Sequence, residues 1–244
     1  MKHIVAIVQA RMGSTRLPGK VLKKIIGTPM LVHQIERILR SDLINTVVIS
    51  TTMKPEDDQI IALCKERGWK FFRGEENDLL DRYYQTALHY DATMVVRLTA
   101  DCPLIDPEII DQVISVFIRA DPPVDFVSNS LPIQTFPRGL DTEVMSIGAL
   151  KKAWREDRNP EWREHVTPYI ERNPSKFVIM GFTNPVNLSH MRWTVDTLED
   201  LEFVRKIYKH FNSNKFSWKE VLDFLEKHPE YSEINRNVRQ KTLK

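Results

Sequence analysis

The chain has 244 residues, of which 42% are apolar, and its 35 basic and 33 acidic side chains give a net charge of +2. This length allows one large domain with a buried core. The near balance of charge argues against a nucleic-acid partner or an anionic membrane surface, and no run reaches the roughly 18 to 20 apolar residues of a membrane span. Two cysteines, Cys64 and Cys102, provide no disulfide framework, so we expect a cytoplasmic protein without a signal peptide.

Short apolar segments alternate with segments of helical period in the first half of the chain. Strands are predicted at residues 4–10, 46–51, 70–74 and 94–100. Helices are predicted at residues 29–42, 56–68, 78–90 and 107–120. Such alternation predicts an α/β fold of three layers, in which a mostly parallel, Rossmann-like sheet lies between helices. Ligands of such sheets bind beyond the carboxyl ends of the strands.

The loop after the first predicted strand contains three cations and two glycines: Arg11, Arg16, Lys20, Gly13 and Gly19. The glycines allow the backbone to approach a ligand closely, and the cations can converge on one polyanion, with Ser14 and backbone N–H groups as neutral donors. The loop differs from a Walker P-loop, because five residues separate its glycines and Val21 follows the lysine. It also lacks the glycine pattern of dinucleotide-binding proteins. The alternative is a surface loop whose charges face water.

Two aspartates follow apolar segments later in the chain. Asp101 comes directly after the predicted strand 94–100, and Asp196 precedes a predicted helix that Thr197 can cap. Since the loop lacks the metal-binding hydroxyl of a P-loop, any Mg²⁺ must be held by carboxylates from elsewhere. We therefore predict that Asp101 and Asp196 share Mg²⁺ with the phosphates of a substrate. The alternative for each is a helix cap or a turn residue.

Residues 130–190 interrupt the alternation of strands and helices. The segment 131–146 is rich in Pro and Gly and predicts a loop followed by a strand. The segment 159–174 predicts one short helix between two Asn-Pro turns. Beyond it, a helix is predicted after Ser217, followed by a basic tail over 236–244 that we expect to be mobile.

The opening segment QARMGSTRLPGKVL, residues 9–22, resembles the amino-terminal signature of the sugar-activating cytidylyltransferases, above all of the CMP-KDO synthetases. The segment TADCPLIDP resembles the D-x-P-L metal segment of that family, and VDTLEDLEFVR resembles its D-T-x-E-D-L segment. Together with FPRGLDTEV and EWREHVTPYI, the set is most similar to the SpsF-type branch, which serves spore-coat polysaccharide synthesis.

The resemblance implies a nucleotidyltransferase of GT-A-like architecture that uses CTP and Mg²⁺. Such an enzyme transfers CMP to the hydroxyl of a sugar, an ulosonic acid or a related one, and releases pyrophosphate, for surface polysaccharide or glycoconjugate synthesis. The resemblance also implies a single domain over residues 1–244, with a small lobe at 130–190 that binds the acceptor and supports a homodimer.

The resemblance further assigns roles to residues by position in the motifs. Catalytic roles fall on Arg11, Lys20 and Asp101, and the metal ligands would be Asp101 and Asp196. Nucleotide binding falls on Arg11, Met12, Gly13, Ser14, Arg16, Lys20, Asp81 and Arg82. Arg97 departs from the KDO pattern, and we expect it to bind a carboxylate or phosphate of the substrate. In the relatives the segment 130–190 builds the acceptor site, so we predict that Arg138, Asp141 and His165 face the acceptor. The alternatives are surface charges and, for His165, a helix histidine with a structural role. For Asp81 and Arg82 the alternative is the polar face of a helix, and for Arg97 it is a structural ion pair.

Two other classes of function remain open at this stage. A GT-A-like glycosyltransferase would use a nucleotide-sugar, but it normally presents D-x-D, whereas Ala100 and Cys102 flank Asp101 here. A non-catalytic nucleotide-binding regulator would not need both aspartates and the complete basic loop. A glycosyltransferase would release a nucleoside mono- or diphosphate, whereas a cytidylyltransferase releases pyrophosphate and a regulator releases nothing.

Overall fold

The structure, a computed structural model, describes residues 2–240. Its strands are β1 (Ile4–Gln9), β2 (Lys24–Ile25), β3 (Thr28–Pro29), β4 (Thr46–Thr52), β5 (Lys70–Gly74), β6 (Met94–Thr99), β7 (Phe126–Ser128), β8 (Glu143–Ser146) and β9 (Ile179–Gly181). Seven of them form one sheet in the order β5-β4-β1-β6-β8-β7-β9, and β2 pairs with β3. The predicted basic tail is described as far as Gln240, and its last four residues lie outside the described residues.

The helices lie on both faces of this sheet. They are α1 (Met30–Ile38), α2 (Asp58–Arg67), α3 (Leu79–His89), α4 (Pro107–Arg119), α5 (Ile147–Glu156), α6 (Pro160–Arg163), α7 (Pro168–Glu171), α8 (Leu198–Phe211) and α9 (Trp218–Lys227). Within residues 2–240, none of them combines the length and the apolarity that crossing a membrane requires.

The central strand β1 explains why consecutive apolar residues occur in this chain. Val5 and Ile7 pack into the core formed with α3, α5 and α7, whereas Ala6 and Val8 pack into the core formed with α1, α4 and α8. Both faces of the strand are therefore buried, as parallel sheets require. The strands β5, β4, β1 and β6 run parallel, and β8 pairs antiparallel with β6. The predicted three-layer, mostly parallel α/β fold is confirmed.

Residues 130–190 contribute two strands and three helices to this same arrangement. β8 pairs with β6, β9 pairs with β7, and α5 packs against α3. The sequence prediction lacked α5, although Ser146 caps it by accepting a hydrogen bond from the N–H of Ala149 at 2.9 Å. The segment is thus part of the main sheet, while its roles in acceptor binding and dimerisation stay predictions.

The single helix predicted over residues 159–174 is wrong. The structure has two four-residue helices instead, α6 and α7, because Val166 between them has a φ of 72°. A β-branched residue rarely adopts this left-handed conformation, which a right-handed helix cannot contain. Pro168 then begins α7, where its missing N–H is not needed. The turn carries His165 and so determines where this side chain lies.

Candidate active site

The basic loop closes into a compact turn at the carboxyl ends of β1 and β6. The N–H of Met12 donates to the buried carboxylate of Asp57 at 2.7 Å, and the carbonyl of Met12 accepts from the N–H groups of Ser14 and Gly19. Gly19 has a φ of 66°, which glycine adopts without strain. Asp57 therefore fixes the loop from the neighbouring strand–helix connection. Sequence analysis did not identify Asp57, since no local pattern links it to a loop 45 residues away.

This turn leaves backbone donors available for a ligand. The N–H groups of Gly13, Thr15 and Arg16 have no hydrogen-bond partner within residues 2–240. Successive N–H groups in a turn form a concave site for anions, and guanidinium or ammonium groups beside them add charge. The loop can thus bind phosphate oxygens through both its backbone and its cations.

Lys20 joins the two predicted metal ligands. Its Nζ donates to Asp101 Oδ2 at 2.9 Å, to Asp196 Oδ1 at 2.9 Å and to the carbonyl of Val195 at 2.8 Å. The backbone holds the two aspartates together, because the N–H of Val195 donates to the carbonyl of Asp101 at 2.8 Å. Residues that are 95 positions apart in the chain therefore meet beside the basic loop.

The charges of this cluster stabilise one another. Burial alone would raise the pKa of Asp101, but the Lys20 ammonium, together with hydrogen bonds from Thr99, Lys20 and Cys102, outweighs burial and lowers the pKa to about 2. Burial likewise opposes ionisation of Asp196, and the attraction of Lys20 lowers its pKa. Burial disfavours the ammonium of Lys20, yet the two carboxylates raise its pKa above the ordinary value. All three groups are therefore charged at neutral pH.

Asp196 has further cationic partners on its other oxygen. Arg16 Nη2 and Arg192 Nη2 each lie 2.7 Å from Asp196 Oδ2. Arg192 also donates to the buried Asp200, whose carboxylate accepts from the N–H groups of Asp196 and Thr197 and completes the cap of α8. Arg192 and Asp200 thus fix Asp196 in place. Sequence analysis missed their role; the only signal was the Thr-x-x-Asp spacing of the cap.

Arg11 meets an acidic residue from a different connection. Its Nη1 lies 3.6 Å from Glu76 Oε1, and Glu76 Oε2 lies 2.6 Å from Lys54 Nζ. Glu76 belongs to the connection between β5 and α3, which therefore borders the basic loop. Sequence analysis did not identify this residue, because nothing in its local sequence separates it from other surface acids.

These elements enclose a polar groove of about 320 Å³. It contains most of the predicted nucleotide and metal residues: Arg11, Ser14, Arg16, Lys20, Asp101 and Asp196. A smaller recess of about 140 Å³ adjoins the groove and is lined by Ala10, Leu79, Arg82 and Glu164. Arg11 and His165 line both spaces. The groove and the recess therefore adjoin each other at the carboxyl ends of the strands.

Asp81 and Arg82 are neighbours in the chain but lie in different surroundings. Arg82 is buried, lines the recess and donates to the carbonyl of Glu75 at 2.8 Å. Asp81 instead accepts from the indole N–H of Trp154 at 2.8 Å, in the contact between α3 and α5. The structure thus brings Arg82 to the candidate site and does not bring Asp81 there.

The four residues predicted to bind the acceptor do not form one cluster. Arg97 forms an ion pair with Glu143 at 2.9 Å, across the β6–β8 pair, which is the structural alternative considered for it. Asp141 accepts from the N–H of Gly139 at 2.8 Å, and burial raises its pKa. His165 lines the groove. Arg138 instead lines a separate cavity.

That cavity measures about 630 Å³ and lies between Arg138, Arg192 and the C-terminal residues 232–240. Arg138 forms no ion pair within residues 2–240, although its Nη1 donates to Gln134 Oε1 at 3.3 Å. Arg192 joins the cavity to the groove, since the same side chain contacts Asp196.

The sequence matches those of known proteins over nearly its whole length. A family model described as cytidylyltransferase matches residues 5–235. The chain belongs to the cytidylyltransferase family. The predicted resemblance is therefore confirmed over nearly the whole chain.

Individual relatives agree with this family membership. An uncharacterized protein of Methanocaldococcus jannaschii is 37% identical over 99% of this chain and 98% of its own length. The spore coat polysaccharide biosynthesis protein SpsF of Bacillus subtilis is 31% identical over 94% of this chain and 97% of its own length, which supports the SpsF branch. A 3-deoxy-manno-octulosonate cytidylyltransferase of Geotalea daltonii is 37% identical over 46% of this chain and 44% of its own length. The solved structure of a cytidylyltransferase from Leptospira borgpetersenii superposes with a TM-score of 0.91 at 36% identity, covering 99% of this chain and 100% of that one.

The carboxylates of this cytidylyltransferase suit a hard divalent cation. Asp101 and Asp196 supply oxygen donors at one point of the groove, the ligand type that Mg²⁺ prefers. Within residues 2–240, no group of three or more His, Cys, Asp or Glu side chains is placed to hold a metal. A cation here would therefore take its remaining ligands from substrate phosphates and water, as Mg²⁺ commonly does.

His165 provides a test of where the triphosphate binds. Burial lowers the pKa of its imidazole, so the side chain is neutral at pH 7 in the free enzyme. Negative charge in the groove favours the imidazolium, so addition of MgCTP should raise the pKa of His165, as followed by NMR titration. At a fixed pH, MgCTP should leave the chemical shifts of His228 unchanged, because His228 does not line the groove. An unchanged His165 titration would place the triphosphate elsewhere.

Proposed function

We propose that this cytidylyltransferase transfers CMP from CTP to the hydroxyl of a sugar and releases pyrophosphate, with Mg²⁺ as cofactor. One observation carries the proposal: the cations of the basic loop and the two carboxylates, far apart in the chain, meet in one groove beyond the carboxyl ends of β1 and β6. This is the edge at which parallel α/β sheets bind their ligands.

The residues of the groove divide into two roles in this proposal. Arg11, Arg16 and Lys20, with the free N–H groups of the loop, bind the triphosphate and balance the charge that develops as pyrophosphate leaves. Asp101 and Asp196 would hold Mg²⁺, which when bound would neutralise phosphate charge. Lys20 lowers the pKa of Asp101 in the free protein, so this carboxylate is ionised and available as a metal ligand.

The proposed chemical step is a displacement at the α-phosphorus of CTP. The oxygen of the acceptor hydroxyl attacks the α-phosphorus and forms a new phosphorus–oxygen bond, while the bond between the α-phosphorus and the bridging oxygen breaks. The leaving group is pyrophosphate, and the hydroxyl proton is released. Holding attacker and leaving group in line accounts for much of the rate enhancement of such reactions.

The acceptor is the least defined substrate. The SpsF relative and the 3-deoxy-manno-octulosonate relative both support a sugar, an ulosonic acid or a related compound, destined for surface polysaccharide or glycoconjugate. We propose the cavity beside Arg138 as its binding space, because Arg192 connects this cavity to Asp196. We also propose a homodimer that acts in the cytoplasm.

Arg138 tests the position of the acceptor. Removing its guanidinium by Arg138→Ala should raise the KM for the acceptor more than the KM for CTP, because Arg138 lines the cavity and not the groove. Steady-state kinetics with each substrate varied in turn measure the two effects. Equal changes of KM for both substrates would contradict the proposal that the acceptor binds in this cavity.

The reaction itself is tested by its products. The purified protein is incubated with CTP, Mg²⁺ and a panel of sugars that includes ulosonic acids, and pyrophosphate and CMP-sugar are measured by coupled assay and mass spectrometry. We expect equal amounts of the two products with at least one sugar, and at least about 10²-fold slower formation of both with Asp101→Asn. Release of a nucleoside mono- or diphosphate from a nucleotide-sugar would instead identify a glycosyltransferase, and absence of turnover together with nucleotide binding would favour a regulator.

A further inference from the structure

The Lys20 ammonium has no donor left for a phosphate. An ammonium carries three N–H donors, and all three are used by Asp101, Asp196 and the carbonyl of Val195. To bind a triphosphate, Lys20 must therefore release at least one of these acceptors. The backbone of Lys20 is fixed in a short helical turn, where its N–H donates to Leu17 and its carbonyl accepts from Lys23, so the side chain is the part that moves.

The carboxylate of Asp196 is fully engaged by basic side chains. Asp196 Oδ1 accepts from Lys20, and Asp196 Oδ2 contacts both Arg16 and Arg192. Asp101 Oδ2 accepts from Lys20, whereas Asp101 Oδ1 lies 3.5 Å from the thiol of Cys102 and faces no basic side chain. A cation shared by both aspartates must therefore displace a basic side chain from Asp196.

We propose that the Lys20 ammonium occupies the position between Asp101 and Asp196 until nucleotide arrives, so that the divalent cation binds only when the triphosphate is present. The inference rests on the proposed function of the groove and adds a second role for Lys20. The triphosphate draws Lys20 away, and the carboxylates that Lys20 releases become ligands of the cation. The cation then replaces the positive charge that Lys20 provided between the two carboxylates.

Thermodynamic coupling gives this inference a measurable form. If Lys20 competes with the cation, the free protein binds a divalent cation weakly, and a neutral side chain at position 20 removes the competitor. Lys20→Met nearly keeps the length of the side chain and removes its charge. Asp101 and Asp196 then lose the ammonium that lies between them. We expect Lys20→Met to bind Mn²⁺ in the absence of nucleotide at least about tenfold more tightly than the wild type.

The experiment follows free Mn²⁺ by electron paramagnetic resonance during titration of the nucleotide-free proteins. Lys24→Met is the matched control, because it makes the same charge change at an exposed lysine nearby and should bind Mn²⁺ as the wild type does. Asp101→Asn in the Lys20→Met background should abolish the gain. Equal Mn²⁺ binding by the wild type and Lys20→Met would overturn the inference.

NMR of the wild-type protein provides a second test, which does not require that a variant folds. The Lys20 ammonium, held by three acceptors, should give a protected ¹⁵Nζ resonance in NMR. We expect CTP with a chelator to move this resonance and Mg²⁺ alone to leave it unchanged. Displacement by Mg²⁺ alone would overturn the inference and leave the proposed function standing. If CTP, with or without Mg²⁺, affects no signal of the groove, the proposed function fails and this inference fails with it.

Discussion

Replacing Asp101 by Asn should lower the rate of CMP transfer by about 10²- to 10³-fold or more while the protein stays folded. Asn has nearly the shape of Asp but lacks the charge that faces Lys20 and that would hold the cation. The loss falls on the stabilisation of the reacting phosphates, because a neutral amide binds Mg²⁺ far less well than a carboxylate. Pyrophosphate release at saturating CTP and acceptor measures the effect.

The control for this variant is Asp121→Asn, which makes the same change at an exposed position outside the groove. It should leave the rate unchanged. Circular dichroism and the Tm of Asp101→Asn confirm that the fold persists. If Asp101→Asn keeps more than about a tenth of the wild-type rate, the carboxylate is not the metal ligand that this account assigns.

Replacing Gly139 by Ala should lower the free energy of unfolding by about 3 kcal/mol or more. Gly139 has a φ of 109°, and a Cβ there would lie 2.7 Å from the N of Thr194 and 2.8 Å from the carbonyl carbon of Trp193. Both neighbours are backbone atoms of the segment that leads to Asp196. The energetic costs of backbone strain and of steric overlap therefore add. Relief of the overlap requires the backbone at residues 193–194, which leads to Asp196, to move. Urea denaturation measures the loss of stability.

Gly27→Ala is the matched control, because Gly27 also has a positive φ, 85°, but a Cβ there meets no atom within 4 Å. It should cost only the backbone strain, about 1 kcal/mol. The difference between the two variants isolates the close approach at Gly139. Equal losses of stability would show that the contact with residues 193–194 contributes nothing.

The first half of the chain was predictable because its signals are local. A buried parallel strand needs consecutive apolar residues, as in β1, and the residues that follow it must lie at the carboxyl edge of the sheet. This reasoning predicts that the basic loop and Asp101 lie at one edge of the sheet. Asp196 is different, because long-range contacts hold it there, among them the hydrogen bond from the N–H of Val195 to the carbonyl of Asp101.

The second half was harder to predict because its elements are short and its pairing is non-local. β7 has three residues, too few to show any period, and the turn at Val166 depends on a φ that the sequence does not announce. The partners of the site residues were invisible for the same reason. Asp57 and Glu76 each reach the basic loop from another connection, and only the folded chain shows those contacts.

Two adjacent residues of α3 lie in different surroundings, which the family resemblance does not predict. The family resemblance assigns nucleotide binding to both Asp81 and Arg82, yet a helix turns about 100° per residue and directs them to different neighbours. Arg82 lies at the recess, and Asp81 contacts Trp154. A motif therefore identifies the segment near a site more reliably than each side chain within it.

Calorimetric titration of the wild type with CTP, UTP, ATP and GTP, each with and without Mg²⁺, tests directly whether the groove binds CTP. We expect CTP to bind most tightly, Mg²⁺ to strengthen its binding, and Lys20→Ala to weaken it. Binding of none of the four nucleotides, or tighter binding of a nucleotide other than CTP, would contradict this expectation.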